Sequence, residues 1–163
     1  MYNDTAAIWS LLEQVPDPEI PVLSILDLGV VRDVKTIPSP IGGGQEGVEI
    51  VITPTYSGCP AMDMISMDIR FKLIEQGYKN IKITTILSPA WTTDWMTETG
   101  KIKLNQYGIA PPKMLSDKTE TPPVCPQCKS PDTKLLSQFG STACKALYQC
   151  NDCKEPFDYF KCH

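Results

Sequence analysis

Cys125-Pro126-Gln127-Cys128 and Cys150-Asn151-Asp152-Cys153 are two Cys-x-x-Cys pairs, separated by 21 residues. Each pair can form a turn that directs two thiolates and nearby backbone N–H groups at one ion, and two facing turns complete a tetrahedral site. We therefore predict a four-thiolate centre whose metal ligands are Cys125, Cys128, Cys150 and Cys153. One structural zinc is the default ion. Iron or an iron–sulfur cluster uses the same ligands, so the spacing leaves the ion open.

The chain around these pairs has the character of a small module held by metal. The roughly 40 residues at this end are too few to bury a self-sufficient core, and modules of that size usually depend on a metal ion. Apolar residues between the two pairs predict the strands of a ribbon. Three aromatic residues would cover those strands: Phe157, Tyr159 and Phe160. We therefore predict a zinc-ribbon (rubredoxin-like) module at residues 123–163.

Other residues of this module leave alternatives open. Lys129 and Lys154 each follow the second cysteine of a pair, where the usual turn has glycine. Cys144 lies beside Lys145, and a neighbouring ammonium can lower the pKa of a thiol. Cys144 is thus either an additional reactive thiol or a spare buried one. Cys162-His163 offers two further ligands or forms a frayed end.

Charge and composition exclude several classes of protein. A net charge of −4 and a pI near 5.0 argue against binding to the backbone of nucleic acids, which requires clustered Lys and Arg. No apolar run approaches the roughly 18 residues of a membrane-spanning helix. No Lys or Arg precedes Arg32 to form the basic start of a signal peptide. We expect a cytoplasmic protein without a membrane partner, whose seven cysteines serve as thiols and metal ligands rather than disulfides.

The first two thirds of the chain have the alternating patterns of a small α/β (α+β) domain, predicted over residues 1–112. Apolar residues at spacings of three and four predict helices, and β-branched runs predict strands. The helices are predicted at residues 5–14, 60–76 and 93–107, and the strands near residues 30–34, 48–53 and 81–87. The first two strands would form a hairpin in a mixed sheet on which the helices pack. The polar, proline-rich residues 113–122 are predicted to be a linker.

A second chemical feature is the segment Thr53-Pro54-Thr55-Tyr56-Ser57-Gly58-Cys59-Pro60. Proline is favoured at the first position of a helix, so Cys59 falls at or just before a helix N-terminus. Free N–H groups and the helix dipole favour a thiolate there, which indicates a reactive or metal-seeking cysteine. The alternative is a small buried side chain. No Ser-His-Asp triad or supported Cys-His pair is visible, so we expect no catalysis by this chain alone.

Upstream, three prolines within residues 16–21 predict a stiff loop that carries Asp17 and Glu19. The loop is either a solvated turn or a holder that keeps one carboxylate near a site. The two carboxylates are too close in sequence and too exposed to form a convincing acid–base pair.

Several of these motifs resemble the SufT-like or MIP18-like family of iron–sulfur assembly factors, over about residues 5–110. They are Asp17-Pro18-Glu19-Ile20-Pro21, Asp27-Leu28-Gly29-Val30-Val31, Thr53 and Gly58-Cys59-Pro60. The end of the chain resembles the D-subunit family of the ring-1,2-phenylacetyl-CoA epoxidase system. The residues that carry this second resemblance are Phe139-Gly140-Ser141-Thr142-Ala143-Cys144-Lys145-Ala146-Leu147-Tyr148 and the final run Glu155-Pro156-Phe157-Asp158-Tyr159-Phe160-Lys161-Cys162-His163.

The combined resemblance implies a place in aerobic phenylacetate catabolism. The oxygenase of that system is a multicomponent di-iron enzyme, supplied with electrons by a reductase that carries flavin and a [2Fe–2S] cluster. An accessory role in assembling an iron–sulfur cluster or iron centre is implied, with Cys59 as the reactive thiol and Asp17 and Thr53 as its neighbours. The implied partners are the reductase or the oxygenase. A transient iron or cluster would be the cargo, and sharing of Cys59 across a homodimer is a further hypothesis.

Two other functions compete with this hypothesis. The chain could be a stable, non-catalytic subunit that binds and orders the oxygenase, and co-purification that is indifferent to Cys59 would favour that interpretation. A nucleic-acid-binding ribbon is disfavoured, because the five lysines at residues 129–161 are balanced by five acidic residues at 120–158: Glu120, Asp132, Asp152, Glu155 and Asp158.

Overall fold

The computed structural model describes residues 5–38, 47–114 and 121–161. The backbone contacts divide the chain into two compact units, Met1–Trp91 and Thr92–His163. Each unit has its own sheet, and both contain helix and strand, so the predicted fold class is confirmed. Within the described ranges, no helix combines the length and the apolar character that crossing a membrane would require.

The first unit is a three-stranded mixed sheet with two helices. Its elements are α1 (Thr5–Leu12), β1 (Val31–Ile37), β2 (Gly47–Ile52), α2 (Ala61–Glu75) and β3 (Ile81–Thr85). The strand order is β1-β2-β3, with β1 antiparallel and β3 parallel to the central β2. The predicted hairpin is therefore present, and α2 is the crossover helix that a parallel β2–β3 pair requires.

The core of this unit follows from the period of each element. Along β2, Ile50 and Ile52 point to one face and are fully buried, because side chains alternate across a strand. On α2, Ile65, Ile69 and Leu73 recur every four residues and share one buried face. The helix ends where predicted, since Gly77 adopts a left-handed φ of 90° and donates its N–H to the carbonyl of Ile74.

The second unit combines a helix with a four-stranded sheet. A short 3₁₀ turn precedes α3 (Glu98–Tyr107), β4 (Ile109–Ala110), β5 (Thr133–Ser137), β6 (Lys145–Cys150) and β7 (Pro156–Phe160). The strand order is β4-β7-β6-β5. Strands β5, β6 and β7 are antiparallel neighbours, as expected of a ribbon, whereas β4 runs parallel to β7.

Two details of this unit differ from the sequence-based prediction. The helix expected at residues 93–107 is interrupted, because Thr97 is extended and caps α3 by accepting the N–H of Gly100 at 2.9 Å. Strand β4 was not predicted, and through it the chain that follows α3 joins the ribbon sheet. The predicted boundaries are 1–112 for the first domain, 113–122 for the linker and 123–163 for the ribbon. The contacts do not test whether these segments fold independently, so the boundaries stay a prediction.

Candidate functional site

The four predicted ligand cysteines of the second unit converge. The sulfur atoms of Cys125, Cys128, Cys150 and Cys153 all lie within 4.8 Å of one another. The Cys125 and Cys153 sulfurs are 3.8 Å apart, and those of Cys128 and Cys150 are 3.5 Å apart. These separations exclude disulfides, whose sulfurs are about 2.05 Å apart. Four thiolates around one zinc at about 2.3 Å have sulfurs about 3.8 Å apart, so the observed set fits such an ion.

The backbone builds the two cysteine turns in the same way. The N–H of Cys125 donates to the carbonyl of Ser130 at 2.9 Å, and the N–H of Cys150 donates to the carbonyl of Glu155 at 3.0 Å. Lys129 and Lys154, which follow the second cysteine of each turn, have left-handed φ angles of 63° and 66°. The position therefore has the conformation that glycine normally supplies, although the residue is lysine.

Each of these lysines has a second contact that compensates for its backbone conformation. The ammonium of Lys129 donates to the carbonyl of Pro126 at 2.7 Å, and that of Lys154 donates to the carbonyl of Asn151. In both cases the acceptor lies three residues earlier, inside the same turn. The sequence alone marked these lysines only as departures from the usual pattern. Both lysines directly follow the second cysteine of a pair, and this shared position was the signal that could have revealed their equivalent roles in the two turns.

Without an ion, the four converging thiols compete for protons. Burial raises the pKa of Cys150, but the N–H groups of Cys153 and Asp152 and the Cys128 thiol oppose it and lower this pKa to about 7. At Cys153, the N–H of Glu155 acts to lower the pKa, but burial and the three other cysteines outweigh it and raise the pKa to about 12. Four sulfurs so close together cannot all ionise unless a cation takes the place of the protons.

Cys59 lies in the first unit, at the position predicted for it. Pro60 is the N-cap of α2, so Cys59 comes directly before the helix start. Gly58 has a φ of 80°, and the N–H of Cys59 donates to the carbonyl of Tyr56, which folds the segment into a tight turn. The sulfur is half-buried, and the hydroxyl of Thr55 lies 4.0 Å from it.

Asp17 is buried, which corrects the expectation of an exposed loop carboxylate. One of its oxygens accepts the N–H groups of Glu19 and Ile20 at 2.9 and 2.7 Å, so the carboxylate holds the proline-rich loop together. Its own N–H donates to the carbonyl of Leu23 at 2.8 Å. Glu19 is half-buried.

A second polar pair was missed in the same loop. The carboxylate of Asp27 accepts the N–H of Ser24, and the hydroxyl of Ser24 accepts the N–H of Asp27, both at 3.0 Å. The spacing of three residues between Ser24 and Asp27 is typical of such a reciprocal bond and was the available signal.

Thr53 is 1% exposed, and its hydroxyl has no hydrogen-bond partner among the described residues. The Thr53 hydroxyl therefore bonds to neither Asp17 nor Cys59. The backbone N–H of Thr53 donates to the carbonyl of Val30 at 2.9 Å, which brings the residue after β2 to the residue before β1. The assignment of Asp17 and Thr53 as neighbours of a working Cys59 stays a prediction.

Cys144 is outside the group of four sulfurs and is 4% exposed. Its sulfur lies 3.0 Å from the hydroxyl of Thr142. The adjacent Lys145 is also buried, and its ammonium lies 3.7 Å from the carboxylate of Asp158. Cys162 and His163, considered above as additional ligands, lie outside the described residues.

Comparison with known proteins finds two family models, which match separate parts of the chain. Residues 5–77 match the family model of an iron–sulfur cluster assembly protein, and residues 110–161 match the PaaD zinc β-ribbon domain. A crystal structure of a domain of unknown function, DUF59, from Bacillus anthracis is 28% identical and superposes with a TM-score of 0.53. The alignment covers 61% of this chain and 89% of that one.

Two curated relatives extend the match. An Escherichia coli protein, provisionally named as the D subunit of 1,2-phenylacetyl-CoA epoxidase, is 52% identical over 95% of this chain and 91% of its own length. A Porphyromonas gingivalis protein, named an Fe–S protein maturation auxiliary factor, is 36% identical over 58% of this chain and 84% of its own length.

The fold and the site thus define a class: an iron–sulfur assembly domain joined to a four-cysteine zinc ribbon. The mixed sheet of the first unit and the converging sulfurs of the second are the features on which this class rests. The chain belongs to the D-subunit family of phenylacetyl-CoA epoxidase.

Proposed function

We propose that this protein is an accessory subunit that helps to assemble an iron–sulfur cluster or iron centre of a phenylacetyl-CoA epoxidase, and that Cys59 handles the cargo. The observation that carries the proposal is the distribution of the six cysteines in the described part of the chain. Four surround one metal position, and Cys144 is buried, which leaves Cys59 as the accessible thiol. The match of residues 5–77 to an iron–sulfur assembly model supports this proposal.

The position of Cys59 suits transfer rather than storage. Cys59 lies directly before the start of α2 and is partly accessible, so its thiolate form can replace a thiolate ligand of incoming iron. A second exchange with a thiolate of the acceptor releases the cargo. Each step forms one iron–sulfur bond and breaks another, and no electrons are transferred. One cysteine cannot hold a cluster alone, so donor and acceptor supply the other ligands.

The four-cysteine centre has a separate, structural role in this proposal. A bound zinc holds the two cysteine turns together and supplies folding energy to a small sheet. Cys125 and Cys150 are 0% exposed, whereas Cys128 and Cys153 lie at the surface, so one cysteine of each turn anchors the site in the interior. The ribbon then serves as a rigid module, and the partners are other components of the epoxidase, either the iron–sulfur flavin reductase or the di-iron oxygenase. The chain itself catalyses no reaction.

A test compares Cys59→Ser with Ser57→Ala, an exposed change two residues away on the same turn. Each variant is produced together with the epoxidase components, and iron and acid-labile sulfide are measured in the purified reductase and oxygenase. Cys59→Ser should leave this protein folded and lower the iron or cluster occupancy of one partner. Ser57→Ala should leave occupancy unchanged.

The proposal fails if the Cys59→Ser strain grows normally on phenylacetate and both partners are fully loaded. If the Cys59→Ser protein still co-purifies in fixed ratio with a fully loaded oxygenase, the function is that of a stable structural subunit instead.

A further inference from the structure

Helix α2 carries a second apolar surface, on the side opposite its buried face. We call it the outer stripe: Met64, Met67, Phe71 and Ile74. These side chains are 55%, 54%, 57% and 56% exposed, respectively. A surface helix ordinarily has one apolar and one polar face. A contiguous row of large exposed apolar side chains is typical of a surface that a partner covers.

The spacing of the outer stripe indicates the shape of that partner. The four positions are separated by three, four and three residues, which is the a-d-a-d spacing of a coiled-coil seam. From first to last they span about 15 Å, or nearly three turns. Anchors at these intervals pack against another helix, whose own apolar residues fall between them.

Charges along the outer stripe indicate which charges should lie beside the apolar residues of the partner helix. Carboxylates lie on both edges, and none of the three forms an ion pair in the described part of the chain: Asp63, Asp68 and Glu75. Arg70 lies beside the stripe, but one nitrogen of its guanidinium donates to the carbonyl of Ile81 at 2.8 Å. A hydrogen bond to a carbonyl leaves the positive charge of Arg70 in place, so three carboxylates and one cation flank the stripe. The net charge beside the stripe is acidic, and a helix with Lys or Arg next to its apolar residues is complementary to it.

A second copy of this chain fits less well. An antiparallel pair that matches Met64 with Ile74 and Met67 with Phe71 is centred on Ile69. Such a pair places Asp68 beside its own counterpart and Arg70 beside its own counterpart. Like charges along both edges oppose that pairing, so the stripe selects against self-association.

We propose that the outer stripe is a docking surface for an amphipathic, basic-flanked helix of another component of the epoxidase. The identity of the partner rests on the proposed function; the chemistry of the docking helix rests on α2 itself. Met64 follows Cys59 by five residues, about 7 Å along the helix axis. A helix seated on the stripe therefore ends near the thiol, and the two methionines adapt to the shape of its side chains.

The test measures the affinity of this protein for each purified component of the epoxidase of the same organism. In Met67→Glu/Phe71→Glu the stripe is broken. Leu87→Glu/Ile102→Glu adds the same charges at two other apolar side chains, which are 63% and 57% exposed. Since all four side chains are more than half exposed, both variants should keep the melting temperature of the parent protein. In Asp68→Lys/Glu75→Lys the apolar stripe is kept and one flank is reversed.

One component should bind the parent protein and the Leu87→Glu/Ile102→Glu control equally, and Met67→Glu/Phe71→Glu at least tenfold more weakly. Asp68→Lys/Glu75→Lys should bind more weakly at low salt, with a smaller difference at high salt. Docking is overturned if no component binds, or if the stripe and flank variants bind as the control does. It is also overturned if the parent protein is a dimer that Met67→Glu/Phe71→Glu converts to a monomer.

The docking proposal and the proposed function can fail separately. A Cys59→Ser protein that loads no cargo should still bind through the stripe. Normal binding by the stripe variants, together with lost loading in Cys59→Ser, would remove only the docking proposal.

Discussion

Lys129 and Lys154 are equivalent residues in the two cysteine turns: both have left-handed backbones, and both ammonium groups donate to the carbonyl three residues earlier. A lysine at this position is held in a conformation that costs roughly 1 kcal/mol relative to glycine. The side-chain bond offsets part of that cost. The turn geometry is thus kept without the glycine that usually provides it.

Substitutions at Lys154 should separate these two effects. Lys154→Gly relieves the backbone and loses the ammonium contact, so we expect a change within about 1 kcal/mol. Lys154→Val places a β-branched residue at positive φ and should destabilise the metal-loaded protein by more than about 1 kcal/mol, on the order of the left-handed penalty. Thermal unfolding in the presence of zinc measures both. Equal effects of the two substitutions would show that φ does not limit stability at this position.

Metal analysis of protein purified without oxygen tests the four-cysteine centre. We expect zinc near one per chain, with neither iron nor acid-labile sulfide, because four converging thiolates form a closed zinc site. Cys150→Ser should lower the zinc content and loosen the second unit. Cys59→Ser, the control, should leave the zinc content unchanged. Iron with matching sulfide in the parent protein would contradict a purely structural centre.

Thr53→Val tests whether the unpartnered hydroxyl has a function. Replacing an unpaired buried hydroxyl with a methyl should stabilise the fold, by about 1 kcal/mol. Thr93 is also 1% exposed with an unpartnered hydroxyl, so Thr93→Val is a matched control. If Thr53 assists Cys59, Thr53→Val should be more stable and yet lower the cargo occupancy of the partner. Thr93→Val should raise stability alone. Unchanged loading in both variants would remove Thr53 from the site.

Glu49 should make the first unit sensitive to acid. The Lys82 ammonium and then the Thr84 hydroxyl, at 2.8 and 2.5 Å, lower the pKa of Glu49 below its ordinary value of 4.5. A lowered folded-state pKa contributes stability above the unfolded-state pKa, and that stability is lost as the pH falls through the folded-state value. Glu49→Gln should therefore be less stable than the parent at pH 7, with the difference shrinking below pH 4.5.

Denaturant unfolding of Glu49→Gln and the parent at pH 7 and pH 4 measures this change. The exposed Glu75→Gln provides the control for loss of a negative charge. A stability difference between Glu49→Gln and the parent that is the same at both pH values would show that the contacts of the carboxylate do not depend on its charge.

Gly140 should tolerate no side chain. A Cβ at this position would lie 2.9 Å from a carboxylate oxygen of Asp158 and 3.4 Å from the carbonyl of Lys145. Overpacking of this kind typically destabilises by about 1–3 kcal/mol. Gly140→Ala should lower the melting temperature of the zinc-loaded protein, whereas the neighbouring Ser141→Ala, at an exposed position, should not. Equal melting temperatures would mean that Asp158 moves away without loss.

Features that depend on residues close together in the sequence could be predicted from local patterns. The Cys-x-x-Cys spacing identified the four sulfurs, and the Pro60 start and Gly77 stop located α2 within one residue at each end. The interruption of α3 at Thr97 was missed because residues 97–101 contain no large apolar side chain, so the apolar pattern did not locate the start of the helix. The available signal was Thr97 itself, since threonine is a common N-cap residue and here accepts the N–H of Gly100, three residues later.

Features that depend on distant residues could not be predicted in this way. Asp17 is buried because its loop folds back on itself, and no local pattern distinguishes that from a solvated turn. The outer stripe of α2 could not be predicted for a different reason. Met64 and Phe71 appear in sequence as ordinary members of an apolar helix, and only their exposure separates them from the buried set.

The pairing of β4 with β7 determines which segment of the chain a gene fusion must carry to keep the ribbon sheet complete. Ile109 and Ala110 are hydrogen-bonded alongside Asp158 and Tyr159, so the strand that completes the sheet precedes the first cysteine by 15 residues. A gene fusion that carried only the cysteine-bearing 40 or so residues would leave the backbone of β7 exposed as an open edge, which promotes aggregation. The transferable segment therefore begins before β4. That start is earlier in the chain than the positions of the cysteines alone would suggest.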